Sequence, residues 1–428
     1  MLFLAAVITA ACNDPLPLKE PSQEKFSRVL IFFGEGFNSL SSYITEDISD
    51  MIGTVPNASI PSEGSNKALV IISHLPAGRS AYQTPTSPTI TSITRDYIGR
   101  PKCDTLLSMD SGAIMTRTEN LRYALEYVRD HFPSDSYGLI MNSHGTGWLP
   151  VGYYDGGFDS STMSMKDMVP EGAARYIERQ YPDGIVTKSF GQEVIKTGSG
   201  TYSFEFTLQA LAAAIPMKMD YIVFDACLMG GIETAYELRN VTDKIAFSQA
   251  EVLADGFCYD KIVDRLLFET PANPEGVCKD YYEHYVNKTG VNQSATISLI
   301  DCTRLEGLAE CCRELFSTYR EGLGAVDPTS VQGFFRYDKH WFYDIFDIAV
   351  HLDASAGELS ALKASLDAMV PYKGTTGHFF DTEIPEEKYS GVSMYLPNNT
   401  WNELNDYYFS LLQDAILSNF SSMPAVNL

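Results

Sequence analysis

The chain has 428 residues, 45% of them apolar, with 55 acidic against 31 basic side chains and a formal net charge of −24. That apolar share is ordinary for a globular protein, so disorder is not the default, and the length calls for one large domain with additions or for two lobes. The charge argues against a nucleic-acid binder, which needs a clustered basic face; it favours cationic substrates through a long-range field that salt weakens.

In chain order, Leu2 to Ala11 is an apolar stretch too short to span a bilayer. It closes on Ile8-Thr9-Ala10-Ala11-Cys12, small residues directly before a cysteine, although no Lys or Arg precedes it. This is similar to the lipobox of bacterial lipoproteins, which implies lipidation of Cys12 and a lipid-anchored protein of the bacterial cell envelope, at the outer membrane or cell surface. Residues 13–25 read as a polar tether.

Apolar runs at 28–33 and 68–73 predict buried parallel strands, and Leu40 to Ile52 has helical spacing. Residues 74–117 are rich in Ser, Thr, Pro and Gly and read as loop with a short hairpin. Leu121, Leu125 and Val128 mark one helix face, and 137–141 is the next strand. Residues 148–204 are the least regular part. A long stretch without clear elements is usually functional or mobile. A helix over 206–215, a strand over 219–224, a helix over 232–238 and a strand over 244–248 follow. This alternation predicts an α/β protein with helices on both faces of a mostly parallel sheet. The last third reads as mostly helical, with strands at 296–300 and 391–396. The expected division is 1–25 for signal and tether, 26–270 for the core, and 271–428 for a part that completes the sheet and adds a helical subdomain.

Two motifs stand at predicted strand ends. Asn142-Ser143-His144-Gly145-Thr146-Gly147 follows Tyr137 to Met141, and Asp225-Ala226-Cys227-Leu228-Met229-Gly230 follows Met219 to Phe224. In open parallel sheets, chemistry sits beyond the carboxyl ends of strands. One imidazole and one thiol at the same edge are the minimum for a cysteine nucleophile with its base. A helix expected to start near Met229 would aim its N–H groups at Cys227. His74 has similar credentials, following an apolar run and a serine, but lacks the next glycine. It is read as structural, as are His131, His284, His340, His351 and His378.

The two motifs together resemble the clostripain family of cysteine peptidases, which have a caspase-like α/β/α sandwich fold. Arg28 to Phe33 running into Asn38-Ser39-Leu40 resembles that family's first strand and loop, and Tyr389-Ser390-Gly391-Val392-Ser393-Met394-Tyr395-Leu396-Pro397 its last core strand. The resemblance spans roughly 26 to 415. It implies a Cys227–His144 dyad, an oxyanion hole from the backbone N–H groups of Gly145 and Cys227, and cleavage of proteins or peptides after Arg or Lys. Asp225 matches an acidic position of the substrate pocket; Asp255 is the candidate second acid, with Glu251 as the alternative. The resemblance also implies self-cleavage after a basic residue in 148–204, where Lys166, Arg175, Arg179, Lys188 and Lys196 lie. It allows a calcium requirement, although the chain has no EF-hand loop and a thiolate with an imidazole needs no cofactor.

Eight cysteines are present. Besides Cys12 and Cys227, six remain for disulfides in an exported protein, with 15 connectivities open. No C-x-x-C pair exists, so a zinc site on cysteine spacing is not expected. A serine hydrolase is disfavoured by the lack of a G-x-S-x-G elbow. The rival from another class is a surface lipoprotein that uses the peptidase fold for binding, without proteolysis.

Overall fold

The computed structural model describes residues 25–53, 59–77, 86–153, 173–175, 191–197, 200–334, 341–397 and 402–411. Cys12 and its apolar leader, Lys166, Arg179, Lys188 and His340 lie outside them.

Five strands form the parallel centre of one sheet: β1 (Arg28–Glu35), β2 (Lys67–His74), β5 (Tyr137–Asn142), β9 (Tyr221–Asp225) and β10 (Lys244–Phe247). Antiparallel strands flank them: β3 (Thr89–Arg95) and β4 (Pro101–Ser108) beyond β2, β11 (Thr296–Asp301) and β13 (Tyr372–Thr375) beyond β10. The order is β13-β11-β10-β9-β5-β1-β2-β3-β4. The central strands are continuous apolar runs because both their faces are covered; all six residues of β5 and all five of β9 are buried.

The chain leaves β1 in one direction, through α1 (Ser41–Ile52) to β2. It leaves β5 in the other, through α3 (Leu208–Ala214) to β9 and α4 (Ile232–Leu238) to β10. Right-handed crossovers that run in opposite directions put their helices on opposite faces. Accordingly α1 packs with α5 (Tyr259–Val263) in one layer, while α2 (Thr118–His131), α3 and α4 pack together in the other. The reversal between β1 and β5 is a topological switch point, where such sheets open a crevice at their carboxyl edge.

Several elements differ from expectation. β3 and β4 are full strands that widen the sheet. Thr89-Ile90-Thr91-Ser92-Ile93-Thr94-Arg95 reads as loop by its Ser and Thr content, but threonine is β-branched and suits a pleated surface. The 148–204 region contributes a small sheet, β6 (Ala173–Arg175), β7 (Glu193–Thr197) and β8 (Gly200–Phe204), in the order β6-β8-β7. Within 391–396 only β16 (Ser393–Met394) is a strand, and it pairs with β12 (Tyr343–Asp344) outside the main sheet. Beyond β13, a short hairpin of β14 (Gly377–Phe379) and β15 (Thr382–Ile384) was not anticipated.

None of the seven cysteines in the described residues is in a disulfide. Burial pushes Cys258 up to about 11 and Cys302 to about 12, and raises Cys278 and Cys312 further, which disfavours the thiolate at all four. No helix among the described residues is long and apolar enough to cross a membrane.

Candidate active site

β5 and β9 are neighbours, and their parallel register pairs Asn142 with Asp225. His144 and Cys227 each lie two residues past that pair, so they leave adjacent strands at the same level, beside the switch point. The two loops touch through their backbones. A Cβ at Gly145 would stand 2.2 Å from the Cys227 carbonyl oxygen and 2.8 Å from its nitrogen. No side-chain movement relieves a clash with backbone, so only glycine allows this approach. The contact brings together the two peptide units that the oxyanion expectation names.

The loop after Cys227 does not coil at once. Leu228 takes φ 60°, a left-handed conformation that costs a non-glycine residue about 1 kcal/mol or more. Its N–H donates to Ala250 O at 2.9 Å, and Gly230 N–H to Ser248 O at 2.7 Å. Residues 228–231 therefore run along the 248–250 segment, and α4 begins only at Ile232, with Gly231 as its N-cap. The expected helix start near Met229 is thus displaced to Ile232. At the thiol, Val252 N–H donates to Cys227 Sγ at 3.1 Å, and Sγ lies 3.6 Å from Val252 O. An N–H on sulfur favours negative charge developing there.

On the imidazole side, Ser39 Oγ lies 2.9 Å from His144 Nε2. Ser39 comes from the loop after β1, the strand on the other side of β5, so three consecutive strands β1, β5 and β9 each bring one polar group. Ser143 Oγ fastens the intervening turn by donating to Glu35 O at 2.8 Å. His144 and Cys227 are only 0% and 1% exposed, so the site is closed to solvent.

Asp225 is fully buried. Its Oδ2 accepts from the Tyr259 hydroxyl at 2.9 Å and from the Asn142 amide at 3.1 Å. The same amide lies 2.7 Å from Asp47 Oδ2 of α1 and 2.8 Å from the Tyr259 oxygen. Burial, then the charges of Asp225 and Asp47, hold the Tyr259 phenol well above its ordinary range, so it remains a donor. Tyr281 belongs to the same neighbourhood. It is buried, its hydroxyl has no hydrogen-bond partner among the described residues, and burial followed by the charges of Asp225 and Cys227 raises its phenol. Asp255 is exposed on the turn closed by Gly256 N–H to Leu253 O at 2.9 Å, while Glu251 is buried.

The 391–396 segment buttresses the cysteine loop from behind. Ser393 N–H donates to Gly230 O at 2.9 Å, Tyr395 N–H to Glu233 Oε1 at 3.0 Å, and Gln249 Nε2 to Gly391 O at 2.7 Å. The His144 loop is anchored in turn by Trp148, whose ring packs 4.8 Å from those of Tyr395 and Tyr408.

Ser39, Asn142, Tyr259, Tyr281 and Val252 carry no role in the sequence-based reading. Asn142 and Ser39 stand in quoted motifs, but their partners come from elements distant in sequence. Val252 acts through backbone, which no side-chain pattern signals. Of the basic residues in 148–204, Lys196 is exposed within β7, opposite Thr201 of β8, and Arg175 belongs to β6.

A family model described as the clostripain family matches residues 33–162 and 184–418. Among solved structures, an inactive zymogen C11 protease from Parabacteroides distasonis is 26% identical, over 91% of this chain and 97% of that one, with a TM-score of 0.69. A secreted C11 cysteine protease from Bacteroides thetaiotaomicron, in complex with an irreversible peptide inhibitor, is 20% identical over 92% and 99%, with a TM-score of 0.69; that likeness is one of fold. A comparison with curated proteins finds no match.

Proposed function

The chain belongs to the clostripain family of cysteine peptidases, and on that premise we propose an endopeptidase that cuts after Arg or Lys, with Cys227 as nucleophile and His144 as its base. The observation that carries this reading is the register match. Neighbouring strands release imidazole and thiol at one level, against a glycine that keeps both loops in backbone contact. In the proposed reaction His144 takes the proton from Sγ, and the thiolate attacks the scissile carbonyl carbon. The carbonyl π pair moves onto oxygen, where the N–H groups of Gly145 and Cys227 stabilise it. Collapse of this intermediate expels the amine, which His144 protonates. Water then hydrolyses the thioester with His144 as base again.

Selection of a cationic side chain is assigned to Asp225 and Asp255. A buried carboxylate two residues before the nucleophile supports it, and Asp255 would close the outer end of the pocket. Fluorogenic peptides ending in Arg, Lys, Asp or Ala test both statements. Arg and Lys peptides are expected to turn over with wild type and to lose at least a thousandfold in rate with Cys227→Ala, as for loss of a covalent nucleophile. Turnover that survives Cys227→Ala overturns the mechanism; turnover of Asp or Ala peptides alone overturns the specificity.

The closure of the site supports a latent form that is activated by self-cleavage in 148–204. Purified wild type that remains one band while it cleaves added peptides sinks that part. Equal rates with and without EGTA remove a calcium requirement. Attachment to the cell envelope through Cys12 predicts labelled fatty-acid incorporation that Cys12→Ala abolishes; equal labelling of the variant rejects it.

A further inference from the structure

One strand away from the dyad, Glu35 at the end of β1, His74 at the end of β2 and Glu193 at the start of β7 meet in the interior. Their exposures are 0%, 2% and 0%, and one ligand atom from each lies within 4.8 Å of the others. Among the described residues no lysine or arginine pairs with either carboxylate. Their one ionic neighbour is His74, with Nδ1 2.7 Å from Glu193 Oε1 and 3.9 Å from Glu35 Oε2.

The hydrogen bonds define what each atom offers. His74 Nε2 lies 3.2 Å from Thr86 O. A carbonyl only accepts, so Nε2 carries a proton, and the 2.7 Å contact of Nδ1 with Glu193 Oε1 then needs a further proton or another cation between the two atoms. Glu193 is held from behind: Met115 N–H donates to Oε1 at 2.9 Å, and Thr116 N–H and Oγ1 donate to Oε2 at 2.8 and 2.6 Å. Glu35 Oε1 accepts from Phe37 N–H at 3.0 Å, but the buried Oε2 has no hydrogen-bond partner among the described residues. The Phe37 ring stacks on His74 at 4.7 Å and helps to exclude water.

Three Lewis-basic atoms thus converge where a positive charge is required. A proton is a poor occupant. On His74 it serves Glu193 and leaves Glu35 uncompensated. On Glu35 it faces a nitrogen 3.9 Å away, too far for a hydrogen bond.

We propose that Glu35, His74 and Glu193 bind a divalent transition-metal ion of the Zn²⁺ or Mn²⁺ class, which fastens β7 to the carboxyl edge of the main sheet. An imidazole nitrogen with two carboxylates suits these ions, whereas Ca²⁺ prefers six to eight oxygens. The Thr86 carbonyl on the far ring nitrogen and the N–H donors behind Glu193 are the outer partners that orient ligands of this kind. The site is separate from the dyad, so it stands or falls independently of the proposed peptidase mechanism.

The test uses the full chain, stripped with chelator, equilibrated with Zn²⁺, Mn²⁺ or Ca²⁺ and dialysed, with metal content measured by mass spectrometry. Wild type is expected to retain roughly one Zn²⁺ or Mn²⁺ per chain and to unfold at a higher temperature when loaded. Glu35→Gln, which alters the one oxygen with no hydrogen bond to lose, is expected to lower retention at least tenfold while circular dichroism stays that of wild type. X-ray absorption at the zinc edge of loaded wild type is expected to show nitrogen and oxygen neighbours with imidazole scattering, a readout that needs no variant. Failure of wild type to retain Zn²⁺ or Mn²⁺, retention of Ca²⁺ in their place, sulfur in the coordination shell, or unchanged retention by Glu35→Gln overturns the assignment.

Discussion

The catalytic proposal rests at the residue scale on who holds the imidazole. Ser39 Oγ contacts His144 Nε2 and so helps to fix how the ring stands in its turn. Removing that contact frees the ring to tilt and to change tautomer while leaving the pocket intact. Ser39→Ala is therefore expected to lower kcat about tenfold, a part of the 10²–10⁴ that acid–base catalysis supplies, with KM nearly unchanged. The acid limb of the kcat profile should shift, and Ser39→Thr should restore it. A kcat that falls without any change in the pH profile would mean that Ser39 only packs the loop. The sequence points to His144 and Cys227 because each follows an apolar strand, two residues past its end. Ser39 was not legible as a partner, since 105 residues separate it from His144 and only the β1–β5 pairing joins them. His74 was legible as a residue at a strand end, but not its company: Glu193 lies 119 residues away, in the stretch with the weakest pattern.

Elements matter here mostly through their ends. Strands with unbroken apolar runs were readable to within a residue or two, because burial on both faces leaves no other explanation of such runs. The start of α4 was not, since the 228–231 path is set by backbone bonds to 248–250 rather than by its own side chains. α4 also carries a titratable tie. Glu233 Oε1 accepts from Tyr395 N–H and from the Tyr408 hydroxyl at 2.8 Å, which joins α4 to the 391–396 segment and to the helix Asn402–Leu411. Burial pushes Glu233 from 4.5 up to about 7, against the lowering effect of those donors. The folded state thus binds this proton more tightly than the unfolded chain. The resulting stability is complete below pH 4.5 and is lost as pH rises through about 7, a difference of roughly 3 kcal/mol for this group. Glu233→Gln keeps the accepting oxygen and removes the charge. Its denaturant midpoint is expected to decline less between pH 4.5 and 7.5 than that of wild type; parallel profiles would remove Glu233 as the source.

Across the whole molecule, this is a mostly parallel caspase-like sheet whose crossovers reverse between β1 and β5, and everything argued about chemistry gathers at that reversal. The class of fold followed from alternation of strand and helix. The width of the sheet did not, because β3 is rich in hydroxyl residues, β4 carries Pro101, Lys102 and Asp104 in its first half, and β13 has only four residues. The adjacency of β5 and β9 has a further consequence. The two strands are neighbours in space, yet the whole 148–204 stretch lies between them along the chain. Any nick there puts the imidazole on one polypeptide and the thiol on the other, and the seam between β5 and β9 becomes an intersubunit contact. From then on folding is bimolecular, and its free energy depends on concentration. A nicked preparation should therefore lose turnover on dilution or mild denaturant and regain it when the two pieces are mixed, while neither piece alone hydrolyses anything.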